Sequence, residues 1–235
     1  MINTVPEALK SAFEIFYPLR CAGCGICGFV FCPECIETLR VVEEAFTCPV
    51  CGRWTGRKTV CGECIDGKKG FHEGCYGFYF EGRLRDAIHA FKFGGRKDVG
   101  KFLVSLINEK ITFLAGGLDA IIPIPVTEKR LKERGFNQSF IISEEISRII
   151  SRPVLHNALR KRKETKDQLT LSKDERKRNI KGAFELKSIH GLAGKRILLV
   201  DDLFTTGYTV REASRILLGG GVERVTVFAL ARAGS

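Results

Sequence analysis

The 235-residue chain has no run of the ~18–20 uninterrupted apolar residues that a membrane-crossing helix requires. Its first residues lack a basic stretch followed by an apolar core and a small-residue cleavage site, so no export signal is expected. No long linker or low-complexity tract interrupts it. These absences lead us to expect a cytoplasmic protein rather than a membrane-spanning one or a secreted disulfide scaffold. An apolar content of 44% is that of a globular chain. The length suits one sizeable α/β domain with a small appendage. Val5, Leu9, Ala12, Phe13 and Phe16 fall at helical spacing, which predicts a short amphipathic helix over residues 1–17, packed on its own domain rather than set in a membrane.

Ten cysteines remain to be explained, and all lie at or before Cys75. Eight form CxxC pairs: Cys21/Cys24, Cys32/Cys35, Cys48/Cys51 and Cys61/Cys64. In a reducing compartment paired thiols read as metal ligands. A CxxC turn sets two thiolates on one side of a tight knuckle, and two knuckles make the tetrahedral sulfur site that zinc accepts. Gly25, Gly52 and Gly62 stand where a knuckle commonly needs positive φ. The pattern predicts two structural zinc ions in sequential groups: Cys21, Cys24, Cys32, Cys35, then Cys48, Cys51, Cys61, Cys64. Crossed pairing, an iron site, and Cys27 in place of Cys21 stay open at this level. Four thiolates leave no open position for catalysis, and some fifty residues need the metal to fold.

The boundary falls near Gly70–Cys75, giving a cysteine unit over residues 18–70 and a larger domain over 71–235. In the larger part, short apolar runs alternate with helical stripes. Strands are expected at Gly77–Phe80, Leu118–Ile124, Arg196–Val200 and Arg224–Leu230. Helices are expected around Leu84–Phe91, Asp98–Lys110, Asn137–Ile150 and Val210–Leu218. This alternation predicts an α/β fold with a doubly wound, mostly parallel sheet. The net charge is +11, and residues 152–181 carry eleven Lys or Arg against four acids. Such a cluster suits a polyanion, a phosphate-rich small ligand or simply a solvated loop.

The most informative stretch is Ile197–Val210. A buried strand ends in Asp201 and Asp202. Thr205, Thr206, Gly207, Tyr208 and Thr209 follow, and then a helix begins. A strand, a polar loop and a helix N-terminus together cradle an anion, because backbone N–H groups and hydroxyls converge at the positive end of the helix dipole. Adjacent carboxylates just before a phosphate site suit neighbouring sugar hydroxyls.

This segment resembles the phosphoribosyl pyrophosphate (PRPP) motif of type I phosphoribosyltransferases. Pro123-Ile124-Pro125, the run Arg134-Gly135-Phe136-Asn137-Gln138-Ser139, and Ala90-Phe91-Lys92-Phe93-Gly94-Gly95 are similar to segments of the ComF family. So are the spaced residues Arg162, Thr165, Gln168, Leu171, Arg176, Asn179 and Phe184, and the double CxxC unit. The resemblance covers nearly the whole chain. It implies a type I phosphoribosyltransferase-like fold with an N-terminal zinc ribbon. It implies that Asp201 and Asp202 bind the ribose hydroxyls and that residues 205–209 hold the 5′-phosphate. Lys129, Arg130 and Arg134, with Arg162 and Arg176 of a flexible loop, would face the pyrophosphate, whose oxygens Mg²⁺ bridges.

The resemblance further implies a part in bringing single-stranded DNA across the inner membrane during natural transformation, alongside the DNA-uptake machinery. The chain would then work in the cytoplasm or at the inner face of the membrane. Trp54, Phe71, Tyr76, Phe78 and Phe136 are candidate stacking groups, each also a candidate core residue. Position 2 is Ile2, so the N-terminal catalytic cysteine of glutamine amidotransferases is missing. Three functions stay open: a PRPP-binding DNA-uptake factor, a phosphoribosyltransferase with an unknown acceptor, and a PRPP-sensing regulator without catalysis.

Overall fold

The computed structural model describes residues 18–65, 70–164, 173–187 and 191–234. The expected helix over residues 1–17 lies outside the described residues, as do Thr165, Gln168, Leu171 and the side chain of Arg176.

The cysteine unit contains two short helices, α1 (Pro33–Glu37) and α2 (Gly62–Ile65), with one 3-10 turn at Glu44–Phe46. Strand β1 (Glu73–Tyr79) opens the larger part, followed by α3 (Gly82–Phe93), α4 (Lys97–Ser105) and α5 (Asn108–Leu114). Next come β2 (Ala120–Pro123), α6 (Glu128–Arg134), α7 (Gln138–Ile150) and β3 (Leu159–Lys161). The chain ends with α8 (Lys173–Ile180), β4 (Phe184–Leu186), β5 (Arg196–Phe204), α9 (Tyr208–Gly219) and β6 (Arg224–Arg232).

The main sheet has the order β1-β6-β5-β2, and every pairing is parallel. Beyond β2, Val154 adds a parallel bridge to Ile121, held by Ile121 N–H to Pro153 O at 2.9 Å and Leu155 N–H to Ile121 O at 2.8 Å. β3 and β4 form a separate antiparallel pair.

Both faces of the sheet are covered, which is why its central strands are apolar throughout rather than alternating. The pleat sends Leu198, Val200, Phe228 and Leu230 into a core with α3, α4, α5 and α7. It sends Ile197, Leu199, Val225 and Val227 into a second core with α9. That second core also holds Cys48, Cys51, Cys61 and Cys64. The cysteine unit is joined to the edge of β1 by backbone bonds, Val42 N–H to Gly77 O at 2.9 Å and Tyr79 N–H to Arg40 O at 2.8 Å. Tyr76 donates its hydroxyl to Val50 O at 2.6 Å, and Arg232 Nε donates to Cys51 O at 2.7 Å.

Several boundaries differ from the sequence expectation. The single helix expected over Asp98–Lys110 is two, because Ile107 turns into the core with φ −118° and ψ 29°. Gly77 leaves room for it: a Cβ there would come within 3.0 Å of Ile107 Cδ1. β1 starts at Glu73, since Cys75 and Tyr76 are buried and paired to β6. β5 runs on to Phe204, because β6 continues opposite it and pairs Asp201 with Ala229 and Phe204 with Arg232. The twin acids therefore lie inside the strand and not beyond its end. Gly25 and Gly52 have the expected positive φ (81° and 65°), but Gly62 begins α2 instead. The antiparallel pair of β3 and β4, with α6 and α8, has no counterpart in the sequence reading.

Candidate functional site

The alternation of β5 slips by one residue at the acids. Val200 and Leu203 both pack in the core beneath α3 and α7, whereas Phe204 packs on the opposite side. This slip turns Asp201 and Asp202 toward the same neighbours. Lys92, in the last turn of α3, pairs with Asp202 at 2.7 Å, with both side chains mostly buried. Ser139, in the first turn of α7, donates its hydroxyl to Asp201 Oδ1 at 3.3 Å, and the Asp202 N–H donates to the same oxygen at 2.9 Å. Burial, and then the charge of Asp202, push the Asp201 carboxyl up to about 7 against the opposing pull of Lys92.

After Phe204 the chain turns through Thr205, Thr206 and Gly207 into α9. Gly207 is the N-cap, with φ 75°, and among the described residues no side-chain cap bond closes the helix. A Cβ at this position would lie 2.6 Å from the Phe204 ring, so both the turn and the close approach demand glycine. The Thr206 hydroxyl is buried without a hydrogen-bond partner among the described residues. An orphaned hydroxyl beside an uncapped helix N-terminus fits an anion with several oxygens.

The Arg134–Ser139 run acts as a clamp. Gly135 ends α6 with φ 75°. Phe136 is buried against Phe91, with the Lys97 ammonium 5.1 Å from its ring centroid. Asn137 caps α7 through Ser139 N–H at 3.0 Å and donates to Ile124 O at 3.0 Å. Gln138 donates to Lys92 O at 3.4 Å. The run thus ties the end of β2, the end of α3 and Asp201 together.

The cations fall into two settings. Lys129 lines a 330 Å³ cavity together with Arg160, Lys161 and Arg162 of β3 and the residue after it. Arg160 is paired with Glu128 at 3.0 Å and Arg162 with Glu185 at 3.2 Å. Lys161 is half-buried there. Burial, and then the charge of Arg130, bring its pKa down to about 8, while Asp201 opposes the shift. Arg134 lies over Phe93 at 4.9 Å and donates to Gln138 Oε1 at 3.3 Å. The structure therefore brings Lys129, Arg130, Arg162 and the acid pair to one rim of the sheet. It adds two residues that sequence reasoning missed, Lys92 and Lys161. Lys92 stood inside the quoted Ala90–Gly95 run, two residues before its glycines. Lys161 stood unmarked in the basic cluster.

The two cysteine groups assemble as the sequential pairing expects. In each, the four Sγ atoms lie within 4.8 Å of one another. Tetrahedral zinc with bonds of about 2.3 Å asks for S–S distances near ~3.8 Å; Cys24–Cys32 and Cys51–Cys61 are each 3.6 Å apart. Cys27 is exposed and belongs to neither group. Burial raises the thiols of Cys35, Cys51 and Cys64. At Cys21 and Cys48 burial is outweighed by N–H donors, first those of Cys32 and Cys61, which bring them to about 6 and about 7. A donor set with preformed N–H···S bonds fits a closed tetrathiolate metal site. Of the five candidate stacking aromatics, Phe71, Tyr76, Phe78 and Phe136 are buried in the core, and Trp54 is 52% exposed.

Replacing Lys92 by Met should cost about 3 kcal/mol, the scale of breaking a mostly buried ion pair. It should also move the ionisation of Asp201 to higher pH, because the ammonium no longer favours the carboxylate. Melting curves between pH 5 and 9 would show the shifted midpoint, and an unchanged midpoint would separate Lys92 from the acid pair.

Twin acids on a parallel strand, a hydroxyl-rich turn and an uncapped helix define a phosphoribosyltransferase-type domain. The family model for the phosphoribosyl transferase domain matches residues 137–235. Competence protein F of Haemophilus influenzae is 32% identical over 222 residues, covering 91% of this chain and 90% of that protein. Competence protein ComFC of Bacillus subtilis is 27% identical over 210 residues, covering 86% and 83%. The chain belongs to the ComF family. Among solved structures it resembles the glutamine PRPP amidotransferase of B. subtilis at 20% identity and a TM-score of 0.36, covering 57% of this chain and 26% of that longer one.

Proposed function

We propose that this ComF-family protein binds PRPP on the rim formed by β5, α9, α6 and β3, and that it serves the handling of imported single-stranded DNA in natural transformation. The observation that carries the PRPP reading is the acid pair, held by Lys92 and Ser139, abutting a turn whose buried Thr206 hydroxyl has no partner among the described residues. Asp201 and Asp202 accept hydrogen bonds from the ribose 2′- and 3′-hydroxyls. Thr205, Thr206, Thr209 and the N–H groups of Gly207 and Tyr208 hold the 5′-phosphate. Lys129, Arg130 and Lys161 meet the pyrophosphate, with Arg134, Arg162 and Arg176 around it. Mg²⁺ carried by PRPP would supply neutralisation of charge on the pyrophosphate, which Lys129, Arg130 and Lys161 meet. The residues around the acid pair hold the sugar, orient it and keep water from its reacting carbon.

Two zinc ions, one in each cysteine group, hold the residue 18–70 unit against the 71–235 domain in this reading. The DNA role rests on the names of the relatives and on the positive charge. No described helix is long and apolar enough to cross a membrane. Calorimetric titration of PRPP with Mg²⁺ tests the central claim, and saturable one-site binding is expected. Absence of binding heat would sink it. Pyrophosphate release, measured with and without single-stranded DNA, then separates a transferase from a binding protein.

A further inference from the structure

A second cavity lies on the same rim, at the carboxyl ends of β1 and β6, where the cysteine unit meets the sheet. Its volume is 590 Å³. Tyr79, Phe80 and Trp54 supply aromatic walls, and Arg40, Arg85 and Arg232 supply guanidinium groups. Glu81 is its one acid among the described residues, and Arg40 already pairs with it at 2.9 Å.

Three features mark a recognition site rather than a gap in packing. The Tyr79 hydroxyl is buried without a hydrogen-bond partner among the described residues, an arrangement that leaves a polar group owed a ligand oxygen. Arg232 is 4% exposed and fixed by two backbone carbonyls, Cys51 O at 2.7 Å and Ala233 O at 3.2 Å, so its charge is held rigidly at the cavity wall. The aromatic and guanidinium groups are layered: the Arg40 carbon Cζ lies 5.1 Å from the Tyr79 ring centroid, and that of Arg85 lies 5.7 Å from that of Phe80. Stacked ring and guanidinium planes accept a further flat ring, and three cations against one acid select an anion.

We propose that this cavity binds a planar heteroaromatic anion of mononucleotide size, with its ring against Tyr79, Phe80 and Trp54 and its negative group at the arginines. The site is distinct from the acid pair. It is nonetheless coupled to the phosphate turn, because the Ala233 N–H donates to Phe204 O at 2.8 Å, one residue before Thr205. It also explains why the cysteine unit is built onto β1: Arg40 and Trp54 reach the cavity only from there.

Trp54 is the one tryptophan of the chain, so its fluorescence reports this cavity alone. The full-length, metal-loaded protein is titrated with uridine and guanosine 5′-monophosphates, without PRPP or Mg²⁺. The expected result is saturable quenching or a spectral shift in the wild type, weakened at least ~10-fold in Arg85→Ala and in Tyr79→Phe. Both substitutions leave the packed Arg232 in place, and circular dichroism checks each fold. The Asp201→Asn, Asp202→Asn double variant should bind the probe as the wild type does. Loss of binding in that double variant would move the probe to the sugar site and overturn the proposal. A probe response unchanged in both cavity variants would overturn it too, as would a response to oligothymidylate but to neither mononucleotide. Failure of PRPP binding leaves this readout unaffected, so the two readings fail separately.

Discussion

Asp201→Asn combined with Asp202→Asn should weaken PRPP binding by at least ~100-fold while leaving the fold in place. Each carboxylate is proposed to accept a hydrogen bond from a ribose hydroxyl, and a bond to a charged group contributes about 1.5–3 kcal/mol. Two such losses amount to about two to four orders of magnitude. The amides keep the shape and an acceptor oxygen for Lys92 and Ser139, so circular dichroism should be unchanged. Calorimetric affinity equal to wild type would refute the sugar-binding role.

The same acids carry a stability signature of known sign. The Asp201 carboxyl is raised to about 7 by burial and by Asp202. In the unfolded chain it titrates near ~3.9. Between these values the folded state holds a proton that the unfolded state lacks, so stability falls as pH rises through this window. The contribution is fully present below about pH 4 and lost above about pH 7. Asp201→Asn alone removes the dependence, so its melting temperature should exceed that of wild type at pH 8 and show less decline from pH 4. PRPP affinity of the wild type should rise over the same interval, as the carboxylate forms. A buried, partly protonated acid that weakens the empty fold is what a site organised for a ligand is expected to show.

The legible part of the site was the part written in consecutive residues. The CxxC spacing placed eight cysteines in two groups because each knuckle is a local turn. The Asp-Asp-x-x-Thr-Thr-Gly run could be assigned to a strand, a turn and a helix because those elements follow one another without a break. The strand length was misjudged where propensity and pairing disagree. Two aspartates discourage a strand, yet β6 continues to Arg232 and holds β5 in register through Phe204. Lys92 and Lys161 were not legible, since each comes near the acid pair only through the packing of α3 and of the β3–β4 pair. The Phe71, Tyr76, Phe78 and Phe136 rings look alike in sequence whether stacked on a ligand or buried. Tyr76 and Phe78 are buried because both faces of β1 are covered beside β6, Phe71 because it joins the core under α9, and Phe136 because it packs on Phe91.

Removing metal from the Cys48, Cys51, Cys61 and Cys64 group should unfold far more than the cysteine unit. Those sulfurs pack in the same apolar core as Tyr76, Phe204 and Val210, the last two flanking the turn at residues 205–207. Gly52 of the knuckle sits so close to Tyr76 that a Cβ would lie 2.4 Å from its ring, and Cys51 O holds the buried Arg232. Without the ion, four thiols crowd a site whose N–H···S bonds favour thiolate, and the shared core loses its support. A structural zinc contributes about 10–16 kcal/mol, as much as the ~5–15 kcal/mol by which a whole domain is stable. Cys51→Ser should therefore lower the melting temperature by more than ~10 °C and abolish PRPP binding without touching a ligand-facing residue. Cys24→Ser, at the exposed corner of the other group, should cost much less and spare PRPP binding. Metal analysis should find two zinc ions per wild-type chain, one for each cysteine group, and one in Cys51→Ser. A chelated protein that melts as wild type does and still binds PRPP would show that the second core stands without metal.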